Sequence, residues 1–485
     1  MYVLRRLKAQ QKNEIQKNIR CVTTGFNSFL FGMTLMKLFR PLFGSNLRSN
    51  VSNVIFSLLA VHLLVSLLAN FFFVVPCALA ERINLDIANS GIRKLVVAVP
   101  SFVDEEGDHN TATGRDIASL MKQGLQFHGF VKILDARRYE GEDTPDWHAL
   151  GADYVVRGSY VLVGNRMSIT GSLLDVMSNN VLTEKNYTGK GRQQEKITLR
   201  LVDAMVKAFT GEPGIAQSSI AFVSDKTGRK EIYIADIFGR KVRQVTRHRH
   251  LCVSPRFTAD GSQLAYTSYH RGNQDLYITR LNQNKTTRSL SRRRGMNLAP
   301  AFSPDNRTAV VTLSKDGNPD LYLIDMEGDI IKRLTRQSGI NVSPSFSPDG
   351  RSICFVSDRS GSPQVYIMDL QTMEVRRLTF KGKENVEPSW SPRGDKVVYT
   401  HLTQGHYHIY TLPVNGGQPT RITSGSGSCE SPTWSPDGRQ IAFSRKVNGK
   451  KMQIYVVQAN GEGMHRMFTF KGNQSYPRWS PPVYK

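Results

Sequence analysis

Residues 343–350 read Ser-Pro-Ser-Phe-Ser-Pro-Asp-Gly, and five variants of this phrase occur elsewhere in the chain. The first prolines of the six copies stand at 255, 300, 344, 388, 432 and 477, which are steps of 45, 44, 44, 44 and 45 residues. A β-type unit that repeats every ~40–50 residues is typical of propeller blades. The sequence therefore predicts a mainly β fold organised as a propeller.

Each repeat offers four short strands that are rich in β-branched and aromatic residues. The first repeat begins at Ile220 without a proline phrase, and the phrase at Pro477 has no strands after it. We expect these two ends to complete one blade together. That arrangement closes a six-bladed ring and removes its open strand edges.

The repeated residues are interpreted as architectural. The aromatic residue of each phrase is expected to wedge between neighbouring blades, and each Asp-Gly pair to form a tight turn. Asn306 replaces glycine once, which fits because asparagine tolerates a left-handed backbone. One aspartate per turn, as at Asp349, does not make a calcium site.

The chain is divided into five parts, which are residues 1–80 (N-terminal extension with signal peptide or anchor), 81–91 (exposed strand-like segment), 92–211 (smaller α/β domain), 212–218 (linker) and 219–485 (six-bladed β-propeller). In the α/β domain, the apolar spacing from Asp116 to Phe127 and from Ile197 to Phe209 predicts helices. Gly164-Asn165 predicts a hairpin turn between two strands.

The first 80 residues resemble an export signal. They carry nine basic residues and one acidic residue, an apolar run over 54–76, and small residues before Ala80. This pattern predicts cleavage between Ala80 and Glu81 and a periplasmic location. The run is also long enough to span a bilayer, so a retained anchor is the alternative. A start at Met33 or Met36 would explain the unusual length.

Residues 81–91 follow the predicted cleavage position. Ile83, Leu85 and Ile87 alternate with polar residues, which is the pattern of a strand. Two interpretations stay open. The segment is either an edge strand of the next domain or a strand lent to the sheet of another protein.

Composition and motifs argue against several classes of function. The formal charge of +24 favours anionic partners, but no nucleic-acid-binding motif accompanies it, so we expect a basic surface and no nucleic acid. The five cysteines lack metal-type spacing. The pairs His248/His250 and His406/His408 have no third ligand at suitable spacing. No catalytic signature occurs, so we expect no metal, no cofactor and no enzyme activity.

Variation among the repeats indicates where function lies. Three residues before each proline stand Cys252, Asn297, Asn341, Asn385, Cys429 and Gln474. These positions are expected to ring one mouth of the channel. They form either a docking rim or a solvated mouth without a ligand.

The order of export signal, α/β domain and six-unit ring resembles the TolB family, the periplasmic components of the Tol-Pal system in Gram-negative bacteria. The resemblance covers residues 81–485. It implies a monomeric, non-enzymatic adaptor that supports outer-membrane integrity and cell division. The resemblance places a TolA-like inner-membrane protein on Glu81, Arg82, Ile83, Asn84, Leu85, Asp86, Ile87 and Ala88. It places a Pal-like peptidoglycan-associated lipoprotein on Met296, Asn297, Asn341, Val342, Asn385, Val386, Glu387 and Glu430. The alternative is a hydrolase or ligand-binding propeller of the periplasm.

Overall fold

The computed structural model describes residues 93–142, 145–282, 285–447, 449 and 451–481. The signal region, the cleavage position at Ala80 and Glu81, and the segment 81–91 lie outside these residues. Within the described ranges, no helix is both long enough and apolar enough to cross a bilayer. The predicted fold class is confirmed, because strands dominate and six four-stranded sheets follow a smaller α/β region.

The α/β region is a five-stranded sheet with two helices. Its elements are β1 (Leu95–Ala98), α1 (Ala112–Phe127), β2 (Val131–Ile133), β3 (Tyr154–Val163), β4 (Arg166–Asp175), β5 (Asn180–Lys190) and α2 (Gln194–Thr210), with 3-10 turns at Ala136–Arg138 and Gly191–Gln193. The strand order is β2-β1-β3-β4-β5, with β1 parallel to β2 and β3 and the other pairs antiparallel. The sequence prediction missed β5, because most of its residues are exposed and no apolar face marks it.

Helix α1 forms because its apolar residues share one face and its first turn is capped. The Thr111 hydroxyl accepts a hydrogen bond from the Gly114 amide at 3.0 Å, which starts the helix four residues earlier than the apolar spacing indicated. Ile117, Met121 and Leu125 are fully buried in the same core as Val202 of α2. Each such side chain contributes about 2 kcal/mol through burial.

The propeller has six blades of four antiparallel strands. The inner strands are β9 (Cys252–Phe257), β13 (Asn297–Phe302), β17 (Asn341–Phe346), β21 (Asn385–Trp390), β25 (Cys429–Trp434) and β29 (Gln474–Trp479). The second strands are β6 (Ser219–Ser224), β10 (Gln263–Ser268), β14 (Thr308–Leu313), β18 (Ser352–Ser357), β22 (Lys396–Thr403) and β26 (Gln440–Val447). The third strands are β7 (Glu231–Asp236), β11 (Asp275–Arg280), β15 (Asp320–Asp325), β19 (Gln364–Asp369), β23 (His406–Pro413) and β27 (Lys451–Gln458). The outer strands are β8 (Val242–Gln244), β12 (Thr287–Ser291), β16 (Ile330–Arg333), β20 (Val375–Arg377), β24 (Thr420–Arg421) and β28 (His465–Arg466).

The expected ring closure is present. Strand β29 pairs antiparallel with β6, with Gln474 opposite Ser224 and Trp479 opposite Ile220. The resulting sheet, β29-β6-β7-β8, is blade 1, and blades 2 to 6 follow in chain order from β9. Ring closure therefore gives β6 an inner neighbour from the other end of the propeller sequence.

The Asp-Gly turns have the geometry that the sequence indicates. Asn306 and Gly350 both adopt positive φ, at 60° and 71°. In the turn before Gly350, the Asp349 carboxylate accepts hydrogen bonds from the Ser347 hydroxyl at 2.6 Å and the Arg351 amide at 3.1 Å. The hydroxyl bond and then the amide bond lower the pKa of Asp349. The aspartate caps its own turn.

The two mouths of the propeller differ. We call the end that carries the Asp-Gly turns the turn mouth. We call the other end the loop mouth, because the loops leading into the inner strands lie there, at residues 247–251, 292–296, 336–340, 380–384, 424–428 and 469–473. The α/β domain packs on the turn mouth, where Arg393 and Arg439 contact Glu212 at 3.2 and 3.4 Å. Phe127 of α1 also lies against Phe238 and Trp479.

His128 fixes the linker between the two domains. Its Nδ1 lies 2.8 Å from the Gly124 carbonyl, and its Nε2 lies 3.1 Å from the Ile215 amide. Since an amide can only donate, Nε2 accepts and the buried ring is neutral with its proton on Nδ1. Burial lowers the pKa of His128, and the nearby carboxylates of Asp437 and Asp203 oppose that shift only in part.

We predict that His128 makes stability fall in mild acid. A histidine whose folded pKa is lowered contributes stability that is complete above its unfolded pKa, about 6.5, and is lost as the pH falls below that value. His128→Gln keeps an acceptor for the Ile215 amide but takes up no proton. Thermal unfolding followed between neutral and mildly acidic pH should show a shallower loss of Tm in this variant than in the wild type. The exposed His148→Gln is the control and should follow the wild type. Parallel pH curves for wild type and His128→Gln would contradict this role.

Candidate functional site

The polar positions that the sequence placed on the rim are buried. Asn297, Asn341, Asn385 and Gln474 are each 0% exposed, and Cys252 and Cys429 are also buried. The expectation that Asn297, Asn341 and Asn385 contact a docking partner is therefore wrong, because none of these side chains is exposed. The spacing located them correctly at the start of each inner strand, but the side chains turn into the blades.

The asparagines hold the loops that lead into their strands. Asn341 Nδ2 donates to Asp320 Oδ1 at 3.0 Å and to the Gly339 carbonyl at 2.8 Å, and its Oδ1 accepts from Arg359 at 2.9 Å. Asn385 donates in the same way to Gln364 and to the Lys381 carbonyl. These amides satisfy buried backbone groups of irregular loops, which gives them a structural role.

In three blades, an exposed apolar side chain stands one residue before the buried position that begins the inner strand. Leu251, Met296 and Ile340 directly precede inner strands of blades 2, 3 and 4, and they are 36%, 37% and 47% exposed. Val342 and Val386, predicted as partner contacts, are half-buried at the second position of their strands. Three neighbouring blades thus present an apolar arc, which we call the apolar rim (Leu251, Met296, Ile340).

Each inner strand contains a bulge at its third and fourth residues. The pairing register shifts at this point in all six blades. The third residue is left-handed without being glycine in five of them, namely Ser254, Ser343, Glu387, Ser431 and Tyr476. Such a backbone costs on the order of 1 kcal/mol per residue, so its repetition reflects a constraint shared by the blades.

Glu387 uses this bulge to bridge two blades. Its carboxylate accepts hydrogen bonds from the Ser431 amide at 2.6 Å and the Ser431 hydroxyl at 2.8 Å, both in blade 6. Thr400 of its own blade donates at 3.1 Å. Glu387, one of the predicted partner contacts, therefore has three donors within the protein and only partial exposure.

Further carboxylates gather near Glu387 on the side of blades 5 and 6. Burial, and then the charge of Glu387, raise the pKa of the half-buried Glu430. Tyr407 donates its hydroxyl to Glu384 at 3.1 Å, and burial followed by this bond raises the tyrosine pKa. We call Glu384, Glu387 and Glu430 the acidic group.

Arginines face the acidic group from other inner strands. Burial lowers the pKa of Arg256 to about 10, and the charge of Glu387 opposes that shift. Arg478 donates to the Ser431 and Pro432 carbonyls at 3.3 and 3.2 Å. Because these charges come from different blades and converge at the inner strands, the channel lining itself is strongly polar.

The described residues show no metal centre. Within them, no group of three or more histidine, cysteine or acidic side chains is arranged to hold an ion. Cys252, Cys354 and Cys429 are free and buried, while Cys21 and Cys77 lie outside the described residues. His248 and His270 both contact the Ser268 hydroxyl, at 2.7 and 3.0 Å, but Ser268 is fully buried and cannot reach a substrate.

Comparison with known families fits this architecture. Residues 206–483 match the TolB beta propeller domain model, and residues 83–182 match the TolB amino-terminal domain model. The chain belongs to the TolB family. The family resemblance in the sequence is thereby confirmed across both domains.

Individual TolB proteins show how far the likeness extends. The Tol-Pal system protein TolB of Desulfotalea psychrophila is 47% identical over 233 residues, 48% of this chain and 53% of the relative. The one of Desulfosudis oleivorans is 35% identical over 48% of this chain and 54% of the relative. The matched region thus spans about half the length of these relatives. The crystal structure of TolB from Acinetobacter baumannii superposes with a TM-score of 0.71 at 26% identity, covering 81% of this chain and 98% of the other.

We predict that Asn341→Asp destabilises the fold. The new carboxylate would stand beside the buried Asp320 and could donate neither of the hydrogen bonds to Asp320 and the Gly339 carbonyl, which we expect to cost about 2–4 kcal/mol. Met296→Gln, at an exposed position of the same mouth, should stay within about 0.5 kcal/mol of the wild type. Urea unfolding of both variants measures the difference. Equal midpoints would show that Asn341 does not hold its loop.

Proposed function

We propose that the protein is a non-enzymatic periplasmic adaptor of a Tol-Pal envelope system. The observation that carries the proposal is a TolB-type propeller whose loop mouth is left uncovered by the α/β domain. That mouth combines an apolar rim with a polar channel lining, both on a closed ring. A rigid surface of this kind suits the capture of another protein, since little ordering of the surface opposes binding.

The first proposed partner is a Pal-like peptidoglycan-associated lipoprotein at the loop mouth. The exposed side chains available to it are Met296 and Ile340, with the half-buried Val342 and Val386 beside them. Glu387 and Glu430 contribute charge at the channel wall. Asn297, Asn341 and Asn385 support these residues from within the blades.

We predict that Met296→Asp/Ile340→Asp weakens capture of the Pal-like lipoprotein at least roughly tenfold, because charge replaces two exposed apolar side chains of the proposed interface. Ile331→Asp/Val181→Asp is the matched control, since both residues are exposed hydrophobics away from the loop mouth. Calorimetric titration with the periplasmic domain of that lipoprotein gives the affinities. An equal loss in both double variants would contradict docking at this mouth.

The second proposed partner is a TolA-like inner-membrane protein, held by strand addition to residues 81–88. The alternation of Ile83, Leu85 and Ile87 with polar residues supports this role, because a lent strand places alternate side chains in pockets of its partner. The match to the TolB amino-terminal domain model begins at residue 83, within this segment.

We predict that Ile83→Asp/Leu85→Asp abolishes binding of a TolA-like domain while leaving lipoprotein capture unchanged. Arg82→Ser/Asn84→Ser changes the alternate face of the same segment and should reduce binding far less. Pull-down of both partners by each variant provides the comparison. If the two faces are equally sensitive, the segment does not bind as a strand.

Binding two envelope proteins on one rigid body would allow the adaptor to couple them. We propose that holding the lipoprotein competes with its grip on peptidoglycan, so that the system can move it during constriction at division. The adaptor works as a monomer in this scheme. Its chemistry is recognition without turnover.

A further inference from the structure

Three loops of blade 2 and its boundaries carry an unusual density of positive charge. They are residues 247–251, 269–274 and 292–296, and we call them the basic loop surface. They contain Arg247, Arg249, Arg271, Arg292, Arg293 and Arg294, together with His248, His250 and His270. All three loops lie at the loop mouth.

Hydrogen bonds join the three loops into one surface. The Tyr269 amide donates to the Leu251 carbonyl at 3.0 Å, which ties the first loop to the second. Asn273 Nδ2 donates to the Arg293 carbonyl at 3.1 Å, which ties the second loop to the third. The ring centroids of His248, in the first loop, and His270, in the second loop, lie 4.4 Å apart. The loops that carry the arginines are therefore held beside one another.

Little negative charge balances this array. Two carboxylates beside these loops, Glu231 and Asp275, are buried and already used within the fold. Glu231 accepts from the Arg249 amide at 2.7 Å and from the Thr246 hydroxyl, and Asp275 lies 3.5 Å from Arg292.

The remaining arginines keep their charge for an outside partner. In the described part of the chain, the guanidinium groups of Arg247, Arg249, Arg271 and Arg294 have no carboxylate within 4.0 Å. Their side chains are exposed. Such an array attracts a partner that presents several anionic groups side by side.

Two exposed aliphatic side chains stand within the same surface. Leu251 ends the first loop and Met296 ends the third, and more than a third of each is exposed. Arginines combined with protruding aliphatic residues match the boundary of a bilayer, where phosphates lie above acyl chains. A purely acidic protein segment would satisfy the arginines but not these two side chains.

We propose that the basic loop surface binds the anionic headgroups of a phospholipid bilayer, with Leu251 and Met296 reaching the acyl boundary. This goes beyond the adaptor role and does not depend on it, although Leu251 and Met296 also belong to the apolar rim. The bilayer contact would set the orientation of the loop mouth relative to a membrane.

The test uses the full chain and measures hydrogen–deuterium exchange with vesicles. Mixed phosphatidylcholine–phosphatidylglycerol vesicles should protect the three loops, and pure phosphatidylcholine vesicles should not. The variant Arg247→Gln/Arg249→Gln/Arg271→Gln/Arg294→Gln should need roughly tenfold more anionic lipid, or more, for the same protection. Arg138→Gln/Arg192→Gln/Arg307→Gln/Arg351→Gln removes the same charge from exposed positions elsewhere and should behave as the wild type.

Loop-resolved exchange separates this contact from any lipid binding by residues 54–76, which all variants share. Leu251→Ser/Met296→Ser should weaken the response to vesicles but not to inorganic phosphate or polyglutamate. If inorganic phosphate alone protects the loops as strongly as the vesicles do, the surface binds a free anion and the bilayer proposal is wrong. If polyglutamate protects the loops and the vesicles do not, the surface binds an acidic protein and the bilayer proposal is wrong. If the two quadruple variants respond equally to anionic vesicles, the basic loop surface is not the binding site.

Discussion

The pairing of β29 with β6 is the interaction on which the rest of the structure depends. It supplies the inner strand of blade 1 from the far end of the propeller sequence. The Trp479 indole donates to the Ser218 hydroxyl at 2.7 Å, and the Ser480 amide donates to the Ser219 carbonyl at 2.8 Å. The closing strand thus also forms hydrogen bonds with the start of the propeller next to the linker. Trp479 of the closing strand also lies against Phe127 of α1, so ring closure contributes to the contact with the α/β domain at the turn mouth.

Once the ring is closed, the inner strands can vary their chemistry without changing their course. In five of the inner strands the third residue is strained, and it is serine in three blades, Glu387 in blade 5 and Tyr476 in blade 1. Because the bulge has the same backbone course in these blades, these exchanges change the side chain at the channel without changing the strand. Glu387 turns its carboxylate to Ser431 of the next blade and so also stabilises the ring. Glu387 therefore combines a structural role with its proposed role as a partner contact.

Much of the fold could be predicted because its signals are local and repeated. A 44-residue period, turn residues such as Asn306, and an incomplete first unit are enough to give six blades and their closure. The direction of the asparagine side chains could not be read in this way. Asn341 is polar and lies in a variable position, which resembles a surface residue, yet its partners are the buried Asp320 and the loop carbonyl of Gly339. Only the packed blades bring those groups together. Strand β5 escaped prediction for the opposite reason, because its exposed residues leave no apolar period.

The distribution of charge around the loop mouth is the property that the ring makes useful. The acidic group belongs to blades 5 and 6, whereas the basic loop surface belongs to blade 2 and its boundaries. In a flexible chain, opposite charges of this number would collapse onto one another. A closed ring keeps them apart, since each blade is fixed by its neighbours through buried cores. The net charge of +24 therefore understates the pattern, because one mouth offers an anionic sector and, apart from it, a cationic sector that also carries the apolar Leu251 and Met296. Under the proposed roles, a partner that matches one sector would be oriented by the other, so the specificity of binding would follow from where the ring holds each charge.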